Sequence, residues 1–400
     1  MNFVDKFRWI EVLFLLSVSF VAGLPSGYVF SIPVKLFFSF SIFGIFLYIS
    51  SNKEVYFSNN FIILSLAFLW FLLVYLLIGY LRFGVYSLKE CELILITFVL
   101  YSMVYLLLSN VFGMRFFITL VEISITVVFL VKLAALLYVY KHPGVDSMIE
   151  FFIKYFNTKV VTMKFLFGLY RINFPADILP AFFPWILAWY LRNKLYSMNK
   201  IDFIVLFFSI FIVLLGFSRY LILVFTLGLI YLLKVSGINW KIFGIIFLAF
   251  FVVFRKFIVD FIKLRFFSGA VKASDAIRFK QTPALVKLFL KKPLIGYGIG
   301  AFSFEYVRSR SMCFSYEEQI LTFFVKFGTL GMFFLLTVVL FIFAIFISRK
   351  DYTAVSIFFL FIVAGWFNPY LYSSSVFLIY VFIALMVNNE NFHVGEIHAV

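Results

Sequence analysis

Residues 319–347 read QILTFFVKFGTLGMFFLLTVVLFIFAIFI, and this stretch decides the class of protein. It carries a single charged side chain, Lys326. A helix needs roughly 17 to 25 apolar residues to cross the hydrocarbon core of a bilayer, and the stretch exceeds that length. A helix of this composition has no polar face to present to water. We therefore interpret 319–347 as a membrane-spanning helix.

The rest of the chain has the same character. Of its 400 residues, 65% are hydrophobic, 13% are charged and 63 are phenylalanine. Soluble domains are nearer half apolar and a quarter charged, so a soluble fold would lack polar surface here. The net charge of +16 does not indicate nucleic acid, because no basic soluble domain accompanies it. Charges placed in loops favour anionic lipid or an anionic substrate.

Apolar runs between charged, proline or glycine breaks predict an all-α, polytopic membrane protein with about twelve transmembrane helices. We treat 1–400 as a single membrane domain. The run from Ile201 to Leu233 is too long for one span, and a tight hairpin at Gly216-Phe217-Ser218-Arg219 divides it. The predicted spans are 9–25, 34–50, 61–81, 92–109, 116–140, 176–191, 201–217, 220–234, 240–258, 319–347, 353–369 and 373–388.

Lysine and arginine in the short loops orient these spans. The positive-inside rule favours a cytoplasmic N-terminus, which places both termini inside and the segments 141–175 and 259–318 outside. The loop 259–318, between spans nine and ten, is rich in lysine and arginine. Its stretch Ser274 to Lys291 predicts an amphipathic surface helix that stops before Pro293. The apolar residues of that helix are Ile277, Leu285, Leu288 and Leu290.

Three glycines at alternate positions follow this helix: Gly296, Gly298 and Gly300. Such spacing lets a backbone turn sharply and approach a phosphate closely. A flexible turn gives the same pattern, so the spacing alone leaves both interpretations open. It is not a dinucleotide-binding fingerprint, because no strand precedes it.

The glycines belong to an ordered series of motifs across about 201–347. The series has the Ser218-Arg219 hairpin, then Arg278, then Pro-x-x-Gly-x-Gly-x-Gly from Pro293, then Gly-x-x-Gly from Gly328. In this order the motifs resemble the O-antigen ligase and polymerase family, which comprises Wzy-type repeat polymerases and lipopolysaccharide O-antigen ligases. The predicted twelve-span plan with a large loop after the ninth span is also similar.

The resemblance implies glycosyl transfer from an undecaprenyl-pyrophosphate-linked glycan at the outer face of a bacterial inner membrane. The implied enzyme is inverting and uses no metal or cofactor. Its implied partners are the bilayer and the lipid-linked glycan, with a chain-length regulator and a flippase as further partners. Its product would be a surface polysaccharide, an O-antigen or a capsule.

Arginine side chains bind phosphate oxygens in pairs and stay charged, so they can stabilise a pyrophosphate leaving group. We expect Arg219 and Arg278 to act in this way, with Lys280 and the three glycines as further pyrophosphate-binding residues. The alternatives are an arginine that only snorkels to the interface for Arg219, and a contact with lipid head groups for Arg278.

In the family's ligases, the resemblance implies a histidine about a dozen positions before the Gly-x-x-Gly helix, and this chain has Glu317 there. Its only histidines are His142, His393 and His398. Glu317 and Glu318 are therefore the candidate catalytic bases, which favours a polymerase. The alternative is that both acids merely complement the dipole at a helix start.

Other polar residues give weaker signals. Glu90 and Glu92 are the only close pair of acids on an early outer loop. Because acids are this scarce on the early outer loops, we expect no metal site. Cys91 and Cys313 do not form a disulfide framework, and whether they pair is left open.

Ionisable residues inside predicted spans are costly and often functional. They are Lys35, Glu122, Lys132 and Lys326. Glu122 and Lys132 are too far apart on one helix to pair with each other, so we expect them to contact other helices, whereas Lys35 has the alternative of snorkelling to the interface.

The sequence thus favours a polymerase of lipid-linked repeat units. The alternative within the same class is an O-antigen ligase that transfers finished polymer to lipid A-core. The alternative from another class is a transporter or flippase of lipid-linked sugars. Transporters tend to carry internal repeats and charges near the middle of the membrane, whereas the charges here concentrate in one loop.

Overall fold

The computed structural model describes residues 3–52, 55–158, 171–237, 255, 259, 269–307, 312–367, 370–371 and 373–388. Within these residues the regular elements are helices and no strand forms, which confirms the expected all-α class. The α-helices are α1 (Phe3–Gly23), α2 (Val34–Asn52), α3 (Asn59–Phe83), α4 (Val85–Leu107), α5 (Gly113–Lys141), α6 (Val145–Phe156), α7 (Ile178–Arg192), α8 (Lys200–Gly216), α9 (Arg219–Val235), α10 (Gly269–Lys291), α11 (Gln319–Ser348), α12 (Tyr352–Phe367) and α13 (Phe377–Val387).

The chain divides into two compact units, each made from two separate stretches of sequence. The first unit holds residues 1–53 and 107–271, where α7 packs on α9 and α1 packs on α5 and α2. The second unit holds residues 54–106 and 272–400, where α11 packs on α12, α13 and α3. The single membrane domain expected over 1–400 stays a prediction.

Glycines separate helices that follow one another closely in sequence. Gly84, with φ of 51°, divides α3 from α4, and its N–H bonds to the Tyr80 carbonyl at 3.0 Å. A five-residue π-helical segment, Leu108–Phe112, leads to Gly113, where φ is 78° and α5 begins. Residues with a Cβ rarely adopt these positive φ values, so glycine marks the breaks.

The predicted hairpin between the seventh and eighth spans is confirmed. Asn199 caps α8 through its side chain, which accepts from Ile201 N–H at 2.7 Å, while Asp202 accepts from the Asn199 N–H at 2.6 Å. This reciprocal capping box fixes the helix start. The helix ends where Phe217 takes the left-handed conformation, and α9 begins two residues later at Arg219.

Every predicted span except 240–258 overlaps one of these helices, and nearly all of 240–258 lies outside the described residues. Length and composition make four described helical stretches suitable for crossing a membrane. These stretches are Val34–Asn52, Phe61–Phe83, Val85–Lys141 and Gln319–Ser348. The chain therefore has the long apolar helices of a membrane protein, while the count of twelve spans and their orientation stay predictions.

The segments expected as outer loops contain helices of their own. Helix α6 lies within 141–175, and α10 begins five residues before the predicted surface helix. The amphipathic surface helix expected over Ser274 to Lys291 stays a prediction. Leu285 is buried, but Ile277 and Leu290 are exposed, and a fully buried Gln281 lies on the packed face. Helix α10 buries a mixed face because it packs against the polar start of α11.

Helix α11 is interrupted at Gly328, where φ is 61° and ψ is −172°. In an unbroken helix, the next two N–H groups would bond to carbonyls four residues earlier. Here residues 293–300, which we name the glycine turn, replace the missing partners within the helix. Their carbonyl groups accept from the two N–H groups that follow Gly328, and their N–H groups donate to the two carbonyls that those N–H groups would otherwise have used. The exchanged bonds join Thr329 N–H to Pro293 (2.7 Å), Leu330 N–H to Leu294 (3.1 Å), Tyr297 N–H to Val325 (2.9 Å) and Gly298 N–H to Lys326 (2.8 Å).

Replacing Gly298 with alanine is expected to destabilise the second unit strongly. The backbone φ of Gly298 is 86°, and an added Cβ would lie 2.2 Å from the backbone nitrogen of Gly79. Strain at a positive φ and overpacking each cost about 1–3 kcal/mol. Thermal unfolding in detergent should therefore show a large fall in melting temperature for Gly298→Ala.

The matched control is Gly44→Ala in α2. Nothing lies within 4 Å of the Cβ it would add, and alanine is the better helix former. This variant should unfold at the wild-type temperature or slightly above it. Equal melting temperatures for the Gly298 and Gly44 variants would contradict the tight packing described for the glycine turn.

Candidate functional site

One face of α10 meets the residues that begin α11. Arg278, Gln281, Thr282 and Leu285 lie on that face, because a helix repeats every 3.6 residues. Arg278 donates from Nε to Glu317 Oε2 at 3.0 Å and from Nη2 to the Phe367 carbonyl at 3.1 Å. The two side chains of this ion pair are 25% and 14% exposed, so the pair lies at the surface of the second unit.

The second candidate base, Glu318, is held by a hydroxyl group rather than by a cation. The Thr282 hydroxyl lies 2.8 and 2.9 Å from its two carboxylate oxygens and donates to them. Gln281, fully buried, turns its amide oxygen to the N–H groups of Glu317 (3.3 Å) and Glu318 (3.0 Å) in the orientation that satisfies both. Consecutive side chains of α10 thus fix consecutive residues at the start of α11.

Tyr316 anchors the loop that precedes these acids. Its hydroxyl accepts from the Ser303 N–H at 2.8 Å and donates to the Tyr306 carbonyl at 3.1 Å. Burial raises the pKa of Tyr316 to about 12, so the phenol stays protonated at neutral pH. It therefore supports the backbone around Glu317 and does not act as a base.

Lys280 lies on a different face of α10 from Arg278. It lines an open depression of about 400 Å³ together with Phe279, Pro283, Ala284, Lys287, Glu305 and Tyr306. Within it, Lys287 Nζ lies 2.5 Å from Glu305 Oε1, and this hydrogen bond lowers the pKa of Glu305. The helix turns Lys280 away from Arg278, so the structure does not bring these two candidate residues together, and the expected role of Lys280 toward pyrophosphate stays a prediction.

The glycine turn is used for packing. Gly296, Gly298 and Gly300 have φ values of 75°, 86° and 82°, and all three are buried against backbone. The N–H groups of all three bond within the protein: Gly296 to Lys292 (3.1 Å), Gly298 to Lys326 (2.8 Å) and Gly300 to the Glu90 carboxylate (2.7 Å). The sequence-based assignment of these glycines to a phosphate cradle is corrected accordingly, because their donors are occupied.

A buried ion pair supports this turn from within the second unit. Lys326 on α11 bonds to Glu90 on α4, and both side chains are 1% exposed. The Lys326 ammonium also donates to the Phe314 carbonyl at 3.2 Å, and Glu90 accepts from Gly300. Glu92 is exposed and does not share this contact, so the two acids do not form the pair considered for a metal.

Arg219 belongs to the first unit, whereas the other candidate site residues belong to the second. It begins α9 three residues after Gly216, whose carbonyl accepts from Arg171 Nε at 3.3 Å. Beneath this hairpin Lys132 and Asp177, both fully buried, are 2.8 Å apart. The proposed role of Arg219 toward pyrophosphate stays a prediction.

Sequence reasoning identified the ionisable residues of the spans but not their partners. Lys132 pairs with Asp177, which confirms that this residue contacts another element, and Lys326 pairs with Glu90. The partners lie 45 and 236 residues away in sequence, so no local pattern could select them. Cys91 and Cys313 are both buried, and no disulfide joins them.

Comparison with protein families, with curated proteins and with solved structures finds no match to this chain.

Removing Lys326 is expected to leave Glu90 as an uncompensated buried charge. Breaking a buried pair on one side typically costs about 3–5 kcal/mol, so Lys326→Met should lower the stability of the folded protein by that order. The double variant Glu90→Gln, Lys326→Met removes both charges and keeps an acceptor for Gly300. Its unfolding free energy in detergent should recover much of the loss, and a strictly additive second loss would contradict the pairing.

Proposed function

We propose that this chain is an integral membrane glycosyltransferase that polymerises undecaprenyl-pyrophosphate-linked oligosaccharide repeat units into a surface polysaccharide. The observation that carries the proposal is the 3.0 Å contact between Arg278 and Glu317. The sequence motifs suggested these two residues for complementary roles, leaving-group stabilisation and proton removal. Their contact brings both roles to one partly exposed place in an apolar, all-helical protein.

In this proposal Arg278 binds the pyrophosphate of the donor. A guanidinium group has five N–H donors, and the described contacts of Arg278 with Glu317 and Phe367 use two of them. The remaining donors can reach phosphate oxygens. As the bond between the sugar C1 and the phosphate oxygen breaks, negative charge grows on the leaving group, and the planar cation stabilises it.

Glu317 then acts on the acceptor sugar. Its carboxylate takes the proton of the attacking hydroxyl, whose oxygen forms the new bond to C1 of the donor sugar. The electron pair of the broken C1–O bond departs with the pyrophosphate. One displacement of this kind inverts the anomeric centre. Glu318, bound to Thr282, holds the helix start that carries Glu317.

A transporter of lipid-linked sugars is the second candidate. The buried pairs Lys326–Glu90 and Lys132–Asp177 favour it, because paired charges on apolar helices often mark transport pathways. Purified protein in vesicles distinguishes the two functions when it is given a synthetic pyrophosphate-linked repeat unit. A polymerase yields a ladder of longer lipid-linked products, whereas a transporter moves the unit across the bilayer without lengthening it.

Arg278→Lys should impair polymerisation even though it keeps the positive charge. A lysine is a point charge and does not reproduce the planar fork that holds Glu317 and phosphate together. Loss of one transition-state contact costs roughly 10²-fold or more in rate. The product ladder measures this loss, and Lys291→Ala, which removes an exposed cation from the same helix, is the control.

Two outcomes test whether the planar shape of the Arg278 guanidinium group is required. Arg278→Ala should be at least as impaired as Arg278→Lys. Normal chain growth in the lysine variant, together with loss in the alanine variant, would mean that charge alone matters.

Glu317→Gln should stop chain growth while the protein keeps its abundance in the membrane. Removing a general base typically costs about 10²- to 10⁴-fold in rate, and the amide is nearly isosteric. Cells or vesicles should then accumulate single repeat units on the lipid carrier. Glu318→Gln should cause a smaller loss, because its partner is the Thr282 hydroxyl and not the arginine.

The same pair of variants separates the polymerase from the ligase. Lipid-linked polymer of normal length that fails to reach lipid A-core would identify a ligase. Full activity of both glutamine variants would mean that the acids only stabilise the start of α11.

A further inference from the structure

Two carboxyl groups of the first unit are hydrogen-bonded to each other inside the protein. Glu122 lies in the middle of α5 and Asp202 lies in the first turn of α8, and their side chains are hydrogen-bonded. Their residues are 8% and 0% exposed. Two adjacent carboxylates repel strongly in a poorly solvated site, so such a contact requires a proton or a cation.

The surroundings hold Asp202 as the anion. Its Oδ2 accepts from the Asn199 N–H at 2.6 Å, and its Oδ1 accepts from the Tyr196 hydroxyl at 3.3 Å. Asp202 also lies at the N-terminus of α8, where the helix dipole favours negative charge. Burial and the negative charge of Asp202 raise the pKa of Tyr196, so the phenol remains a donor.

The surroundings of Glu122 favour the neutral acid instead. Its Oε1 is buried and has no hydrogen-bond partner among the residues that the structure describes, which would be very costly for a carboxylate oxygen. Neither acid forms a salt bridge with any described residue. An O–H group on Glu122 that donates to Asp202 satisfies the contact without a second charge.

We propose that Glu122 and Asp202 form a proton-binding site, in which Glu122 carries the proton and Asp202 is the anion that accepts its hydrogen bond. The ligand is a single proton, taken up from solution by the Glu122 carboxylate. This site is independent of the candidate residues of the second unit and of the glycosyl transfer proposed for them.

The neighbouring charged groups do not supply an alternative partner. Arg115 on α5 binds the Leu195 carbonyl at 3.3 Å, and Lys132 is neutralised by Asp177 about 15 Å further along α5. Arg192 ends α7, Lys194 lies in the connection to α8 and Lys200 begins α8, and among the described residues no salt bridge joins any of them to the pair. Tyr196 is the titratable group in direct contact with Asp202.

The proton fixes α5 to α8. When the pH rises far enough to remove it, two neighbouring carboxylates face each other across the helix contact and repel. The contribution of this pair to stability is therefore complete while the proton is bound and is lost as the pH rises through its release. The contact between Glu122 and Asp202 is therefore weakened at alkaline pH, whereas an ordinary salt bridge made by a carboxylate is lost in acid.

Infrared spectroscopy of the purified full-length protein tests the site directly. A protonated carboxylic acid has a C=O stretch that is resolved from the bands of a carboxylate. At neutral pH we expect this band in the wild type, shifted when glutamate is labelled with ¹³C at its side-chain carboxyl group. Glu122→Gln should abolish it, and Glu305→Gln, at an exposed position, should leave it unchanged.

Thermal unfolding gives a second readout. Above neutral pH the wild type should lose melting temperature more steeply than Glu122→Gln, because glutamine donates an N–H to Asp202 at every pH. The proposal is overturned if the acid band is absent at neutral pH or persists in Glu122→Gln. A missing band together with a melting temperature that rises with Na⁺ at constant ionic strength would make the pair a cation site instead.

Discussion

The second unit depends on a pair of charges that have almost no contact with solvent. Apolar side chains can slide past one another at little cost in free energy, so a unit built of phenylalanine, leucine and isoleucine needs directional contacts to fix its register. Lys326 and Glu90 provide them between α4 and α11. Glu90 also accepts the Gly300 N–H, so one carboxylate fixes two helices and a loop together.

The first unit repeats this arrangement with different residues. Lys132 on α5 reaches Asp177 and two backbone carbonyls, those of Ile172 and Ile212, at 2.8 to 3.1 Å. In both units a lysine of a long helix meets an acid from another element and at least one carbonyl. Buried charges are tolerated in this way when several partners share the cost of removing them from water.

Hydropathy was sufficient to predict most of the helices, because a long apolar run favours a helix, but it missed α6, which lies in a segment expected as an outer loop. It was sufficient for the hairpin before Arg219 as well, where a glycine and a serine interrupt a run too long for one helix. The contact of Arg278 with Glu317 could not be predicted from the sequence alone. It depends on how α10 packs, and the face of α10 that packs combines the polar Gln281 and Thr282 with Leu285. The role of the glycine turn could not be predicted from its glycine spacing. That spacing indicates positive φ angles, and these allow close packing as readily as ligand binding.

The exchange of hydrogen bonds at Gly328 limits how this protein can move. Residues 293–298 cannot withdraw from α11 without breaking four backbone hydrogen bonds, and a buried backbone group left without a partner costs about 1–3 kcal/mol. A loop that supplies the hydrogen-bond partners missing from a helix in this way is held in place and does not open as a lid. Any closure around a substrate must therefore come from elements that do not take part in these hydrogen bonds. Helix α10, with its solvent-exposed lysines, is the nearest such element in sequence.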